Sequence, residues 1–235
     1  MYEEYLQVVR SVRDVRRTPF RQQPAYRSVV ETVSDEQAIA YQAAVAELGI
    51  SQLAALRCAE ALDAIGGGAG SPTAWRYIHQ AGQCWQYIRQ HYQPEEAVDI
   101  VEIGGGFGGL CFAMAQFGDQ RALGSYTLID LPEVLELQRA CLSVLKPHYA
   151  QLNLVTAASD FKDVPADHFL IAYYSLAEFP PAQRQRYLEL LLPRSRHGLV
   201  LWNNWRNEPL DVGRPLLANL PEQPCTAPQN RVLYF

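Results

Sequence analysis

Long apolar runs, paired cysteines and surplus positive charge are all missing from this sequence, and each absence narrows what the chain can be. No stretch of about eighteen apolar residues runs free of charge, so a membrane-crossing helix is not expected. No basic segment followed by an apolar stretch and a small-residue cleavage site opens the chain, and a cytoplasmic location is the expectation. The five cysteines, Cys58, Cys84, Cys111, Cys141 and Cys225, are scattered, odd in number and free of any Cys-x-x-Cys pair. That argues for reduced thiols, against a disulfide framework and against a zinc knuckle. His91, His148, His168 and His197 show no paired metal-ligand spacing and no carboxylates cluster for magnesium, so no metal is expected. Twenty basic against twenty-five acidic residues give a net charge of -5, which offers no global attraction to nucleic acid or an anionic membrane. The glycine run "GGGAGSP" at 66–72 lacks a following Gly-Lys-Ser/Thr and is not a P-loop.

What is present is an ordinary globular composition, 49% hydrophobic and 19% charged. At 235 residues the chain can bury one large core, or a core with a smaller helical appendage. Residues 1–95 read as helical. Leu6, Val9, Val12 and Val15 recur every third position and predict one amphipathic helix. Its arginines, with Arg21 and Arg27 after it, make a local basic cluster best read as a solvated face or docking arm. "SDEQ" at 34–37 has the form of a capping box and opens an Ala/Leu-rich segment to about Ile65 that Gly49 divides. Ser71 and Pro72 fit the N-cap and first position of the next helix, which leaves the glycines before them as a flexible connector. Along that helix Trp75, Ile78, Trp85 and Ile88 form a core stripe.

From residue 96 the period changes. "AVDIVEI", "SYTLID", "LNLVTAA", "HFLIAYY" and "HGLVLWN" are short apolar runs consistent with buried strands, and helical patterns lie at 107–117, 132–145 and 181–192. Strand then helix, repeated, predicts an α/β fold: a doubly wound, mostly parallel, Rossmann-like sheet over 96–235, with 1–95 as an N-terminal helical extension serving as cap or acceptor side. Such sheets bind ligands at the carboxyl ends of their strands. The tail "CTAPQNRVLYF" offers a last strand.

The first strand end reads Glu102-Ile103-Gly104-Gly105-Gly106-Phe107-Gly108-Gly109. Glycine is needed there because the chain turns sharply and a ligand must approach the backbone. Gly104, Gly106 and Gly109 satisfy the Gly-x-Gly-x-x-Gly dinucleotide fingerprint. Glu102, Gly104, Gly106 and Gly108 satisfy Glu-x-Gly-x-Gly-x-Gly, which resembles the first motif of class I S-adenosylmethionine-dependent methyltransferases. A pyrophosphate repels a carboxylate, whereas the ammonium and sulfonium of S-adenosylmethionine attract one, so Glu102 favours the methyl donor. Asp130, at the second strand end, would accept hydrogen bonds from ribose hydroxyls under either template. Asn203 and Asn204, at the fifth, would hydrogen-bond an acceptor or shape a turn.

"VEIGGGFGGLCFAMAQ", followed by "YTLIDLPEVLELQRACLSVL", resembles the sugar O-methyltransferase group of that class, with "GSPTAWRYIHQAGQCWQYI" and "SLAEFP" similarly placed. The resemblance covers roughly residues 70–205 and implies S-adenosylmethionine as cofactor. It places Glu102, Gly104, Gly106, Gly108, Asp130 and Leu131 around the donor, and sets Asp160 and Phe161 against the adenine. It implies that the fourth strand end floors the transferred methyl, which puts Tyr174 at the donor and makes Tyr174, Ser175 and Glu178 candidates to position a hydroxyl nucleophile. Ser175 and Glu178 match the group's serine and glutamate there, whereas Ala172 stands where an asparagine is usual and Phe179 where a methionine is. Glu178 and His79 are the candidate general bases, Glu178 preferred because it follows a strand end. The expected activity is methyl transfer to a small-molecule hydroxyl, a sugar or glycosylated natural product, with no nucleic-acid or membrane partner and a homodimer left open. The rival readings are an NAD-dependent oxidoreductase and a non-catalytic partner subunit with a methyltransferase fold.

Overall fold

The computed structural model describes residues 2–118, 123–203 and 210–235. They divide into two compact units, one of 1–96, 105–122 and 131–148, the other of 97–104, 123–130 and 149–235.

The first unit is helical: α1 (Tyr2–Ser11), α2 (Pro24–Arg27), α3 (Asp35–Glu47), α4 (Gln52–Asp63), α5 (Pro72–His91), α6 (Gly109–Phe117) and α7 (Pro132–Leu145). The first helix stops earlier than its three-residue apolar spacing predicts. Ser11 turns its hydroxyl back to the Val8 carbonyl, and Asp14 draws the following chain into turns by accepting from Arg16 N at 2.9 Å and Thr18 N at 2.8 Å. The capping box at the start of α3 forms in both directions between Ser34 and Gln37. Gly49, at φ +75°, separates α3 from α4. Ser71 and Pro72 start α5, whose Ile78, Trp85 and Ile88 are buried while Trp75 is half-buried. Trp85 donates its indole N–H to the Met114 carbonyl of α6 at 2.8 Å.

Arg21 departs from the reading of a solvated basic face. It is 2% exposed and pairs with Glu31 at 2.6 Å. A buried ion pair needs hydrogen bonds beyond the pair itself to be tolerated, and here all the guanidinium nitrogens of Arg21 but Nη2 find partners among the described residues. Arg21 also donates to the Leu62 carbonyl at 2.7 Å and lies over the Phe107 ring at 4.6 Å, while Glu31 accepts from the Ser71 hydroxyl at 2.5 Å. The glycine run is accordingly more than a loose connector. A Cβ on Gly68 would lie 2.0 Å from the Arg21 guanidinium, and one on Gly66 would lie 2.4 Å from the Phe20 ring.

The second unit is a sheet of seven strands: β1 (Val98–Ile103), β2 (Leu123–Asp130), β3 (Gln151–Thr156), β4 (His168–Tyr173), β5 (Ser195–Trp202), β6 (Ala218–Pro221) and β7 (Arg231–Tyr234). Two helices belong with it, α8 (Ser175–Glu178) and α9 (Pro181–Leu191). The strand order is β3-β2-β1-β4-β5-β7-β6, with β1 to β5 parallel and β7 antiparallel to both of its neighbours. From β1 the chain winds one way through β2 and β3, then returns to the other side of β1 for β4 and β5. This is a doubly wound, mostly parallel, Rossmann-like α/β sheet with N-terminal helices, and its order reverses between β1 and β4, where such sheets open a ligand crevice. The expected five strands are all present, and β4 is buried along its whole length, as a central parallel strand should be, whereas β3, expected to be buried, lies at the sheet edge with one neighbour and is exposed or half-buried throughout. The tail supplies β7, while β6, mostly exposed at the sheet edge, carried no recognisable apolar pattern. Among the described residues no helix is long and apolar enough to cross a membrane.

Candidate functional site

Within the second unit, the carboxyl ends of β1 and β4 meet at the point of order reversal. Ser175, the first residue of α8, donates its hydroxyl to the Ile103 carbonyl at 2.5 Å. A serine after a strand suggests a helix cap; here its hydroxyl ties two strand ends together instead. Gly104 stands at φ +76°, and a Cβ there would lie 2.5 Å from that of Ser175. Only glycine combines this backbone with this neighbour. Just before it, Glu102 is 3% exposed and accepts a hydrogen bond from the Tyr126 hydroxyl at 2.8 Å. Burial pushes the Glu102 carboxyl up from 4.5 to about 7; the Tyr126 bond pulls down and the Asp130 charge pushes up. A carboxylate so placed is poised to gain from a cation.

Asp130 ends β2, half-buried, its carbonyl held by Ala157 N at 2.8 Å. After β3 the chain turns through Asp160 and Phe161. Phe161 is buried at φ +57°, its N–H bonded to the Ser159 hydroxyl at 2.9 Å, its ring stacked on Tyr187 and covered by Arg186 at 5.0 Å. Asp160 is exposed and pairs with Lys162 at 2.5 Å, whose hydrogen bond holds its carboxyl below the ordinary value. Tyr174, between β4 and α8, sits at φ +66°, a conformation rarely adopted by residues other than glycine. Its hydroxyl donates to Glu222 in a short hydrogen bond. Glu178 closes α8 and is exposed. Asn203 follows β5, half-buried, and its Oδ1 has no hydrogen-bond partner among the described residues. Asn204 lies outside the described residues.

The remaining sequence candidates belong to the first unit. Gly106 (φ +57°) and Gly108 (φ +91°) both hold left-handed backbone. Gln138 donates to the Gly106 carbonyl at 3.1 Å, and Gly108 caps α6 with Leu142 about its Cα. Leu131 caps α7, its carbonyl accepting from Leu135 N at 2.9 Å. His79 is 4% exposed on α5, its ring 5.2 Å from that of Tyr41, and burial lowers its pKa from 6.5 to about 4.

No protein-family model and no curated protein matches the chain. Among solved structures it is similar to LepI in complex with SAM, at 17% identity and a TM-score of 0.45, over 65% of this chain and 46% of that one. It is similar to the mitomycin 7-O-methyltransferase MmcR at 16% identity and a TM-score of 0.45, over 97% of this chain and 74% of that one. It is also similar to magnesium protoporphyrin IX methyltransferase from Synechocystis with bound SAH, at 11% identity and a TM-score of 0.46, over 68% and 85%. The chain spans slightly under half the length of the first of these.

Tyr126 and Glu222 are absent from the sequence reading. Tyr126 had a usable signal: it lies two residues before Leu128, the register partner of Glu102, and so shares a face of the sheet with that position. Glu222 had less: it is the one carboxylate side chain between Val212 and the end of the chain, in a proline-rich stretch without periodicity.

Proposed function

We propose that this chain transfers a methyl group from S-adenosylmethionine to a hydroxyl of a small molecule, a sugar or a glycosylated natural product. The observation that carries the reading is Glu102. A buried carboxyl with a pKa raised to about 7 stands next to the last residue of β1, beside the point of order reversal, where a dinucleotide pyrophosphate would be repelled and an ammonium or sulfonium welcomed. The sequence resemblance at the first, second and fourth strand ends points the same way.

S-Adenosylmethionine, when bound, supplies a methyl group already activated by its sulfonium. The chain's own residues then hold the partners in line. Glu102 offers charge to the donor's cationic end, Gly104 lets the backbone approach it, and Asp130 accepts from the ribose hydroxyls. Phe161, buried between Tyr187 and Arg186, backs the adenine site from behind and does not face the ring directly, and Asp160 accepts from the adenine amino group at the expense of the Lys162 pair. On the acceptor side Ser175 fixes the floor, Asn203 offers a buried oxygen to a hydroxyl donor, and exposed Glu178 takes the hydroxyl proton as general base. His79, neutral and buried against Tyr41, is left to packing. The test is turnover: the purified chain is incubated with methyl-labelled donor and a panel of methyl glucoside, methyl mannoside, methyl rhamnoside and phenyl glucoside. Label in a glycoside together with stoichiometric S-adenosylhomocysteine supports the reading. Transfer that persists unchanged in Glu178→Gln removes the assigned base, and no transfer to any glycoside removes the sugar assignment.

A further inference from the structure

Glu222 opens the loop between β6 and β7, at 3% exposure, with its own N–H bonded to the Asn230 carbonyl at 3.3 Å. One carboxylate oxygen, Oε2, accepts three hydrogen bonds from within that loop: Thr226 N at 3.0 Å, Thr226 Oγ1 at 2.5 Å and Asn230 Nδ2 at 2.8 Å. The other, Oε1, accepts the hydroxyl of Tyr174, 48 residues away, with Thr226 Oγ1 a further 3.5 Å from the same hydroxyl. Tyr174 follows β4 directly in left-handed backbone, and the next residue, Ser175, is seated on Gly104. Non-glycine residues keep such backbone where the surroundings over-determine it, a pattern concentrated at functional sites.

The chemistry of this arrangement is directional. A carboxylate accepts hydrogen bonds and cannot donate, so the three donors on Oε2 and the one on Oε1 all point inward to Glu222. A phenol has a single hydrogen, and Glu222 claims it. What Tyr174 can offer any further group is therefore an acceptor oxygen. We infer that Glu222 is a positioning residue for the acceptor substrate: by holding the Tyr174 proton, it makes the phenol oxygen a receiver for a hydrogen-bond donor, an acceptor hydroxyl other than the one Glu178 deprotonates, and excludes groups that can only accept. The inference rests on the methyl-transfer reading above.

Glu222→Gln tests it with little change of shape. The amide oxygen can keep the three loop donors, which turns the amide N–H toward Tyr174 and so redirects the phenol hydrogen. Using the glycoside of the panel with the highest turnover, this variant is expected to lose about tenfold or more in kcat/KM, mainly through KM, with the donor dissociation constant unchanged. Tyr174→Phe, which leaves Glu222 its loop partners, should lose as much, and the double variant no more than either single change. Full activity in both single variants, or losses that multiply in the double one, would overturn the inference while the methyl-transfer reading stands. Weakened S-adenosylhomocysteine binding in Tyr174→Phe would overturn it too, by giving Tyr174 to the donor. If the unaltered chain binds neither S-adenosylmethionine nor S-adenosylhomocysteine, the reading beneath it falls and the inference falls with it.

Discussion

Replacing Glu102 by glutamine should make the protein more stable at high pH and less able to hold its ligand. The folded carboxyl titrates near 7 against an ordinary 4.5, chiefly because it is buried. The folded chain thus binds that proton more tightly than the unfolded chain, so the contribution of Glu102 to stability falls as pH rises from about 4.5 to about 7 and is constant above. At about 1.4 kcal/mol per pH unit, the displacement makes the charged side chain roughly 3 kcal/mol worse folded than unfolded at pH 8. Glutamine has the same shape, carries no charge and can still accept from the Tyr126 hydroxyl. Urea unfolding of both proteins at pH 4, 5, 6, 7 and 8 should give nearly equal stabilities at pH 4 and a growing advantage to Glu102→Gln, already about 1 kcal/mol at pH 5 and roughly 3 kcal/mol by pH 8. Titrations elsewhere cancel in the difference. A difference that is flat with pH, or a variant less stable at pH 8, would refute the reasoning. In the unaltered protein, affinity for S-adenosylhomocysteine, which keeps the ammonium without the sulfonium, should fall as pH drops below about 7, by up to tenfold per unit. That dependence should be much reduced in Glu102→Gln.

Other changes have equally definite outcomes. Tyr126→Phe removes the hydrogen bond that lowers the Glu102 pKa, so the stability difference between it and Tyr126→Phe/Glu102→Gln should extend to higher pH than in the parent pair. Gly104→Ala forces a side chain into left-handed backbone against Ser175, and urea unfolding should show a loss of roughly 2–4 kcal/mol together with loss of donor binding. Glu31→Gln leaves the buried Arg21 charge without its partner and should lower the unfolding free energy by about 3–5 kcal/mol. A loss under 1 kcal/mol would mean that the Leu62 and Ile65 carbonyls suffice. Of the five cysteines only Cys225 is exposed, so one thiol per chain should react at once with a disulfide reagent and the rest only on unfolding.

The sheet was legible because β1, β2, β4 and β5 are short, largely apolar and mostly buried runs, and because proline starts α5, α7 and α9 where the helix pattern also begins. The edge strand β6 was not legible: exposed, four residues long and ending in proline, it has no face to alternate. The first helix was overextended because spacing alone does not register the competing turn around Asp14. At the site, the strand-end positions of Glu102, Gly104 and Asp130 follow from local pattern, since each lies at the end of an apolar run. What pattern could not supply was pairing over long separations. Arg21 looked solvated because it was grouped with the arginines of the first helix and Arg27, yet its partners are Glu31 and the carbonyls of Leu62 and Ile65. Glu222 met Tyr174 only through the antiparallel return of β7, which no periodicity announces.

The most direct test of the central claim is thermal unfolding of the purified chain with S-adenosylmethionine, S-adenosylhomocysteine and NAD added separately at saturating concentration. A ligand that binds only the folded state raises the midpoint, and at a hundredfold excess over its dissociation constant it adds about 2.7 kcal/mol. A rise with both sulfur ligands and none with NAD is the expected result. A rise with NAD alone would contradict the assignment of Glu102 to a cationic donor, and with it the methyl-transfer reading.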